Sequence, residues 1–242
     1  MTPEEALEKR AQMERDGFCV IDDILTDDFL QELRFETEHL MEDWVMPIDF
    51  KYQGQHVTTR GEDNAIIQKL LDWPPTRRAL EEMGYGDFAS TGGIILLTKD
   101  PDEPALYWHQ DCMTWDDPRS YSNVAPMVFL MYYMEDTSRH NGCLRVIPKS
   151  HRQRISLHET GVAHDPEINR IDNPEDLRFA DFPVIAMVII QPLRQLFVRL
   201  DNIFFTDRLD DFRDPSTSKY DRRLPKLQCL YVQRPRHISH FP

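Results

Sequence analysis

The chain has 242 residues, a formal net charge of −14, 40% hydrophobic and 29% charged residues. This is the composition of a globular protein with one large domain or two small ones. The negative charge argues against nucleic acid and anionic membranes as partners, and the lack of any run of 18 apolar residues predicts no spanning helix.

In chain order, M-T-P-E-E-A-L-E-K-R opens without a signal-peptide core, which predicts a cytoplasmic protein. The same segment predicts a helix from Thr2 to Asp16. Thr2 can cap it, Pro3 suits the first helical position, Glu4 and Glu5 favour the positive end, and Gly17 ends it. F-C-V-I (18–21) reads as a short strand. Thr26 caps a second helix, in which Phe29, Leu33, Leu40 and Trp44 recur on one face as core residues. Residues 47–64 read as polar and irregular. I-I-Q-K-L-L-D-W (66–73) reads as a short helix stopped by Pro74 and Pro75. Gly84, Gly86, Gly92 and Gly93 then punctuate the approach to a buried strand, I-I-L-L-T (94–98).

A turn at 100–104 leads into A-L-Y-W-H-Q-D (105–111), and 115–121 is expected to be a loop. M-V-F-L-M-Y-Y-M (127–134) is an apolar and aromatic strand. Asn141-Gly142, between strand-like runs, predicts a hairpin. From Ser150 to Arg178 the chain is polar and reads as a long excursion. Its His151, His158 and His164 are expected to shape a substrate entrance or to sit on the surface. Strand-like runs resume at 184–190, 196–200, 202–206 and 227–232. Helices first and short strands after them point to an α+β protein, mainly β, whose second part is a sandwich or barrel. Cys19, Cys112, Cys143 and Cys229 form no C-x-x-C, so reduced thiols are expected. Cys112 beside Asp111 lacks the close Cys or His partners that zinc needs.

The chemistry concentrates at His109-Gln110-Asp111. In extended backbone, residues two apart share a face, so one imidazole nitrogen and one carboxylate oxygen can meet a single ion. That is two thirds of the 2-His-1-carboxylate set that holds non-haem Fe(II). With 9 His and 26 Asp in 242 residues, one His-x-Asp is expected by chance, so the triplet alone decides nothing. Tyr107 shares the His109 face and Trp108 the opposite one. Met131 and Tyr133 share a face of the next strand. Core packing is the expected role for all four.

Three segments together resemble the phytanoyl-CoA dioxygenase-like Fe(II)/2-oxoglutarate oxygenases. They are L-Y-W-H-Q-D (106–111), the long string Y-Y-M-E-D-T-S-R-H-N-G-C-L-R-V-I-P-K-S-H-R (132–152) and, more weakly, G-F-C-V-I-D-D-I-L-T (17–26). The resemblance implies a double-stranded β-helix (jelly roll) with flanking N-terminal helices. It also implies a single domain over 1–242, helical to about 90, with the jelly roll at about 91–235 and the excursion at about 150–180.

By that resemblance His109 and Asp111 are metal ligands, Fe(II) is the metal and 2-oxoglutarate the cosubstrate. O2 and a small organic molecule are the remaining partners. The implied reaction is hydroxylation coupled to decarboxylation of 2-oxoglutarate to succinate. The family pattern then needs a distal metal His and, about eleven residues later, an Arg for the far carboxylate of 2-oxoglutarate. Laid onto that frame, Asp211 stands at the His position, Arg222 follows eleven residues later and Arg223 is next to it. The stretch 184–197 reads as extra material before the frame. Asp211 could ligate iron as a carboxylate or be a loop residue, and His237 or His240 could stand in for it. A working oxygenase and a silent jelly-roll relative that binds without turnover both fit. A cupin-like isomerase or sugar-binding protein leaves the 132–152 string unexplained.

Overall fold

A computed structural model of the chain describes residues 1–42, 55–98, 108–111, 127–137, 143–155 and 158–159. It also describes the backbone of short strands at 185–186, 196–200, 205–206 and 227–233. Helix α1 spans Pro3–Asp16 and begins as its sequence predicts. The Thr2 hydroxyl accepts from the Glu5 amide (3.2 Å), and the Thr2 amide donates to the Glu5 carboxylate (2.6 Å). This reciprocal pair satisfies two backbone donors that a helix start leaves open. Gly17, at φ 89°, ends the helix in the left-handed region, where an L side chain is disfavoured.

Strand β1 (Phe18–Ile21) follows, then helix α2 (Asp27–Glu42), whose Phe29 amide donates to the Thr26 hydroxyl at 3.2 Å. Phe29 and Leu33 are buried and Leu40 packs against them, as the helical spacing requires. Trp44 lies outside the described residues.

Two readings of the next stretch are corrected. Within 47–64, Gln55–Arg60 is a strand, β2, followed by a 3-10 turn at Gly61–Asp63. It escapes the hydrophobic pattern because it lies at the edge of its sheet, with Val57 and Thr59 half-buried and Thr58 and Arg60 exposed. Helix α3 (Ala65–Leu71) is capped by Asn64, whose side chain accepts from the Ile66 and Ile67 amides. Pro74 and Pro75 do not merely stop it. They open another helix, α4 (Pro74–Glu82), because a proline in the first helical turn gives up an amide that would have no partner there.

Strand β3 (Ala89–Thr98) starts earlier than 94 and carries an irregularity between Ser90 and Ile94, where Gly92 takes φ 80°. Strands β4 (Met127–Tyr132), β5 (Arg145–Val146), β6 (Ile185–Ala186), β7 (Leu196–Leu200), β8 (Phe205–Thr206) and β9 (Leu227–Gln233) complete the set. They form an antiparallel six-stranded sheet in the order β1-β7-β4-β9-β3-β2 and a three-stranded sheet in the order β6-β5-β8. The hairpin expected at Asn141-Gly142 does not join β4 to β5. Both edges of β4 are taken, by β7 and β9, so β5 enters the other sheet. Asn141 and Gly142 themselves lie outside the described residues.

Strand β4 is the middle of the molecule, and its alternation places a core on each side. Val128, Leu130 and Tyr132, with Met134 beyond the strand's end, pack with α1, α2, α3 and α4 residues such as Met13, Leu33, Leu70 and Ala79. Phe129, Met131 and Tyr133 face the other way, onto Phe18, Leu144 and Val146. A strand buried on both faces reads as a continuous apolar run. Polar pins hold its end in place. The Arg34 guanidinium donates to the Met134 carbonyl (2.9 and 2.7 Å) and pairs with Glu135 at 3.0 Å. The Tyr132 and Thr76 hydroxyls meet at 2.8 Å. Burial pushes the Tyr132 phenol up, so it stays neutral, and also raises the Glu135 carboxyl against the pull of Arg34. No described helix is long and apolar enough to cross a membrane.

Candidate metal site

The structure places Trp108, His109, Gln110 and Asp111 in one short segment, with His109 in a β-bridge and a bend at Asp111. Three consecutive residues of it are buried. Trp108 and Gln110 are buried, Gln110 completely. His109 is 7% exposed, while the Asp111 side chain is 24% exposed. His109 Nε2 and Asp111 Oδ1 lie 4.0 Å apart. That is too long for a hydrogen bond. Two neighbouring ligands on an octahedral ion, with bonds of about 2.1 Å, sit about 3.0 Å apart, so the pair would close by about 1 Å on taking up a metal. A sheltered imidazole beside a partly open carboxylate suits a metal that keeps positions free for small molecules.

The segment is held from behind. Gln110 Nε2 lies 3.5 Å from the Ser150 carbonyl. Ser150 closes its own turn, its amide (3.3 Å) and hydroxyl (2.7 Å) both donating to the Ile147 carbonyl. The neighbouring Lys149 amide donates to the Asp16 carbonyl at 3.1 Å, and His151 Nε2 bonds the Glu14 carbonyl at 3.2 Å. Both carbonyls are in the last turn of α1, where the helix itself offers no amide. His151 donates there, so Nε2 carries the proton.

This corrects one expectation. His151 and His158 are buried and neither sits on the surface; the Ile155 amide donates to His158 Nδ1 at 2.9 Å. The bond that buries His151 is made to a residue 137 positions away, which the local polarity of 150–178 does not announce.

Burial draws the His151 imidazole down to about 4 from an ordinary 6.5. The unfolded chain therefore takes up this proton first as the pH falls. The stability His151 contributes is present above about 6.5 and drains away toward 4. Between pH 7 and pH 5 the wild type should lose about 2 kcal/mol more than a His151→Gln variant, read by urea titration at each pH. Parallel pH dependence in the two proteins would contradict this.

Asp211, Arg222, Arg223, His237, His240, His164, Cys112 and Tyr107 lie outside the described residues. Among the described residues no three His, Cys, Asp or Glu side chains gather as a metal-binding group. Cys19 is buried and its thiol is pushed up to about 12, which leaves it inert.

The family model for phytanoyl-CoA dioxygenase (PhyH) matches residues 13–188, most of the chain. The chain belongs to the phytanoyl-CoA dioxygenase family. The family match takes in His109, Asp111 and the whole 132–152 string, and it ends before Asp211 and Arg222. A curated relative, the peroxisomal phytanoyl-CoA dioxygenase of Bos taurus, is 25% identical over an alignment of 172 residues that covers 64% of this chain and 50% of that protein. The chain thus spans about half the length of the curated relative it matches.

Solved structures share the fold at low identity. The non-heme alpha ketoglutarate dependent epimerase SnoN of nogalamycin biosynthesis has a TM-score of 0.64 at 14% identity, covering 98% of this chain and 89% of that one. The alpha ketoglutarate dependent carbocyclase SnoK of the same biosynthesis has a TM-score of 0.67 at 12% identity, covering 96% and 86%. EctD from S. alaskensis has a TM-score of 0.62 at 16% identity, covering 96% and 77%. SnoN has been solved with Fe3+, alpha ketoglutarate and nogalamycin RO.

Proposed function

We propose that this chain is an Fe(II)/2-oxoglutarate-dependent dioxygenase that hydroxylates a small organic substrate. The observation that carries the reading is the His109–Asp111 pair, two donors of the right types held 4.0 Å apart in a segment that lies inside the family match. Membership of the phytanoyl-CoA dioxygenase family and the fold shared with alpha ketoglutarate dependent enzymes support it. The finer architecture that fits is the jelly roll, with the six- and three-stranded sheets as its two walls.

In this reading His109 and Asp111 hold the metal. When bound, the iron and its cosubstrate supply oxidising power, with O2, 2-oxoglutarate and the substrate C–H giving succinate, CO2 and the alcohol. His109 ligates through Nε2 as the neutral imidazole, and its burial keeps competing water away. Asp111 brings one negative charge toward the ion from the more open side. Asp211 is the proposed third ligand. Arg222 is proposed to grip the far carboxylate of 2-oxoglutarate with its planar fork, and Arg223 stands next to it. These roles come from laying the chain onto the family pattern, in which the Arg follows the distal ligand by eleven residues.

A second reading is favoured by the same Asp211. A carboxylate in the place of an imidazole leaves the face with one more negative charge and shifts its preference toward harder ions such as Mn or Mg. The protein would then bind metal without efficient turnover. Replacing that residue separates the alternatives. Asp211→His should tighten Fe(II) binding by about tenfold and strengthen the visible absorption of the anaerobic Fe(II)–2-oxoglutarate complex. An unchanged affinity would show that Asp211 does not face the metal and would direct attention to His237 and His240.

A further inference from the structure

Between the two donors stands a residue that the proposed reaction does not use. Gln110 is fully buried, and its side-chain amide lies 3.5 Å from the Ser150 carbonyl. It meets the turn at 147–152, and that turn is fastened to the end of α1 by two hydrogen bonds. Within the turn Lys149 takes φ 69°, left-handed backbone that a side-chain-bearing residue adopts only where its surroundings impose it. What imposes it is visible: the Lys149 amide is held on the Asp16 carbonyl. The helix itself is a firm base, with Ala6 and Met13 in the core and Arg10 bonded to the Met83 carbonyl at 3.2 Å.

We propose that this arrangement is a clasp, in which Gln110 and the turn at 147–152 set the direction of the metal-binding segment against the C-terminal end of α1. Gln110 and His151 are then positioning residues for His109 and Asp111 and are not themselves ligands. The inference rests on the metal-binding reading above. The contact from Gln110 to Ser150, at 3.5 Å, is at the long end for a hydrogen bond, so it acts by fixing direction more than by strength. Direction is what two ligands on one short segment need. A small rotation of the segment about its own axis moves both donors off the ion together, whereas ligands on separate strands err independently.

The test uses the full chain without iron and Mn(II) as a probe that needs no turnover, with binding read by electron paramagnetic resonance and melting recorded for every variant. Gln110→Leu keeps the volume and removes the amide. It should melt close to the wild type yet bind Mn(II) about 10–100-fold more weakly, the loss typical when a group that orients a metal ligand is removed. His151→Leu should weaken Mn(II) in the same direction, and His151→Gln, which restores a donor for the Glu14 carbonyl, should recover wild-type affinity. His109→Ala is the reference. If His109→Ala binds Mn(II) as well as the wild type, the metal reading itself fails. If His109→Ala loses Mn(II) while Gln110→Leu and His151→Leu keep full affinity, the metal reading stands and the clasp is overturned. Should Gln110→Leu not fold, the His151 pair decides: equal Mn(II) affinity in His151→Leu and His151→Gln overturns the clasp.

Discussion

His109→Ala should reduce Fe(II)- and 2-oxoglutarate-dependent turnover by at least about 1000-fold, which corresponds to about 4 kcal/mol of lost transition-state stabilisation. The size follows from where the side chain sits. His109 is 7% exposed and supplies the only imidazole beside Asp111 among the described residues. Removing it leaves only carboxylates, Asp111 and the proposed Asp211, and a face without an imidazole that no longer selects Fe(II) over harder ions. The stability cost should be modest, about 1–2 kcal/mol for a lost buried side chain, so the variant remains folded and its failure is chemical. Iron content after reconstitution, succinate formation and the melting curve together check this. A folded His109→Ala that retains iron and more than a tenth of the activity would remove His109 from the site.

The largest structural effect is expected at Phe129. Its ring is 1% exposed and fills the space between β4 and the segment carrying Leu144 and Val146. Phe129→Ala should cost about 3–5 kcal/mol, from lost burial and from the cavity that rigid neighbours cannot close. For a chain of this size that is a fall in melting temperature of roughly 10 °C. Phe35 provides the contrast. It is 74% exposed on α2, and Phe35→Ala should change stability by no more than about 0.5 kcal/mol. Urea denaturation of the two variants beside the wild type measures both. Similar losses at the two positions would mean that β4 does not separate two cores.

The sequence made some elements legible because their causes are local. The start and end of α1 follow from Thr2, Pro3, Glu5 and Gly17 alone, and the structure reproduces each cap. Thr26 likewise marks the start of α2. Strand β4 was readable because both its faces are buried and the whole run is apolar. The failures have non-local causes. Strand β2 is stabilised by pairing with β3, and its polar side chains show no burial pattern. The role of Pro74 depended on whether a new helix followed, which composition around 76–82 left open. The turn expected at Asn141-Gly142 lies outside the described residues, and the strands on either side of it enter different sheets because β7 and β9 take both edges of β4 from far along the chain.

At the site the division is the same. His109 and Asp111 stand two residues apart, and the structure brings His109 Nε2 to 4.0 Å from Asp111 Oδ1, so their approach was visible in three residues. The family-specific string at 132–152 made the pairing more than chance. The buried roles of Gln110 and His151 were not visible, because their partners Ser150 and Glu14 are 40 and 137 positions away. A signal was nonetheless present in P-K-S-H-R (148–152), where a proline followed by serine and histidine marks a turn rich in polar side chains.

The central claim is that the His109–Asp111 segment supports oxygen-dependent turnover of 2-oxoglutarate. The measurement that tests it most directly is succinate formed by the iron-reconstituted protein, with and without O2. The account predicts succinate that appears only with both Fe(II) and O2 and disappears in His109→Ala. Saturating iron and 2-oxoglutarate in air, with no succinate above the His109→Ala background, would contradict it.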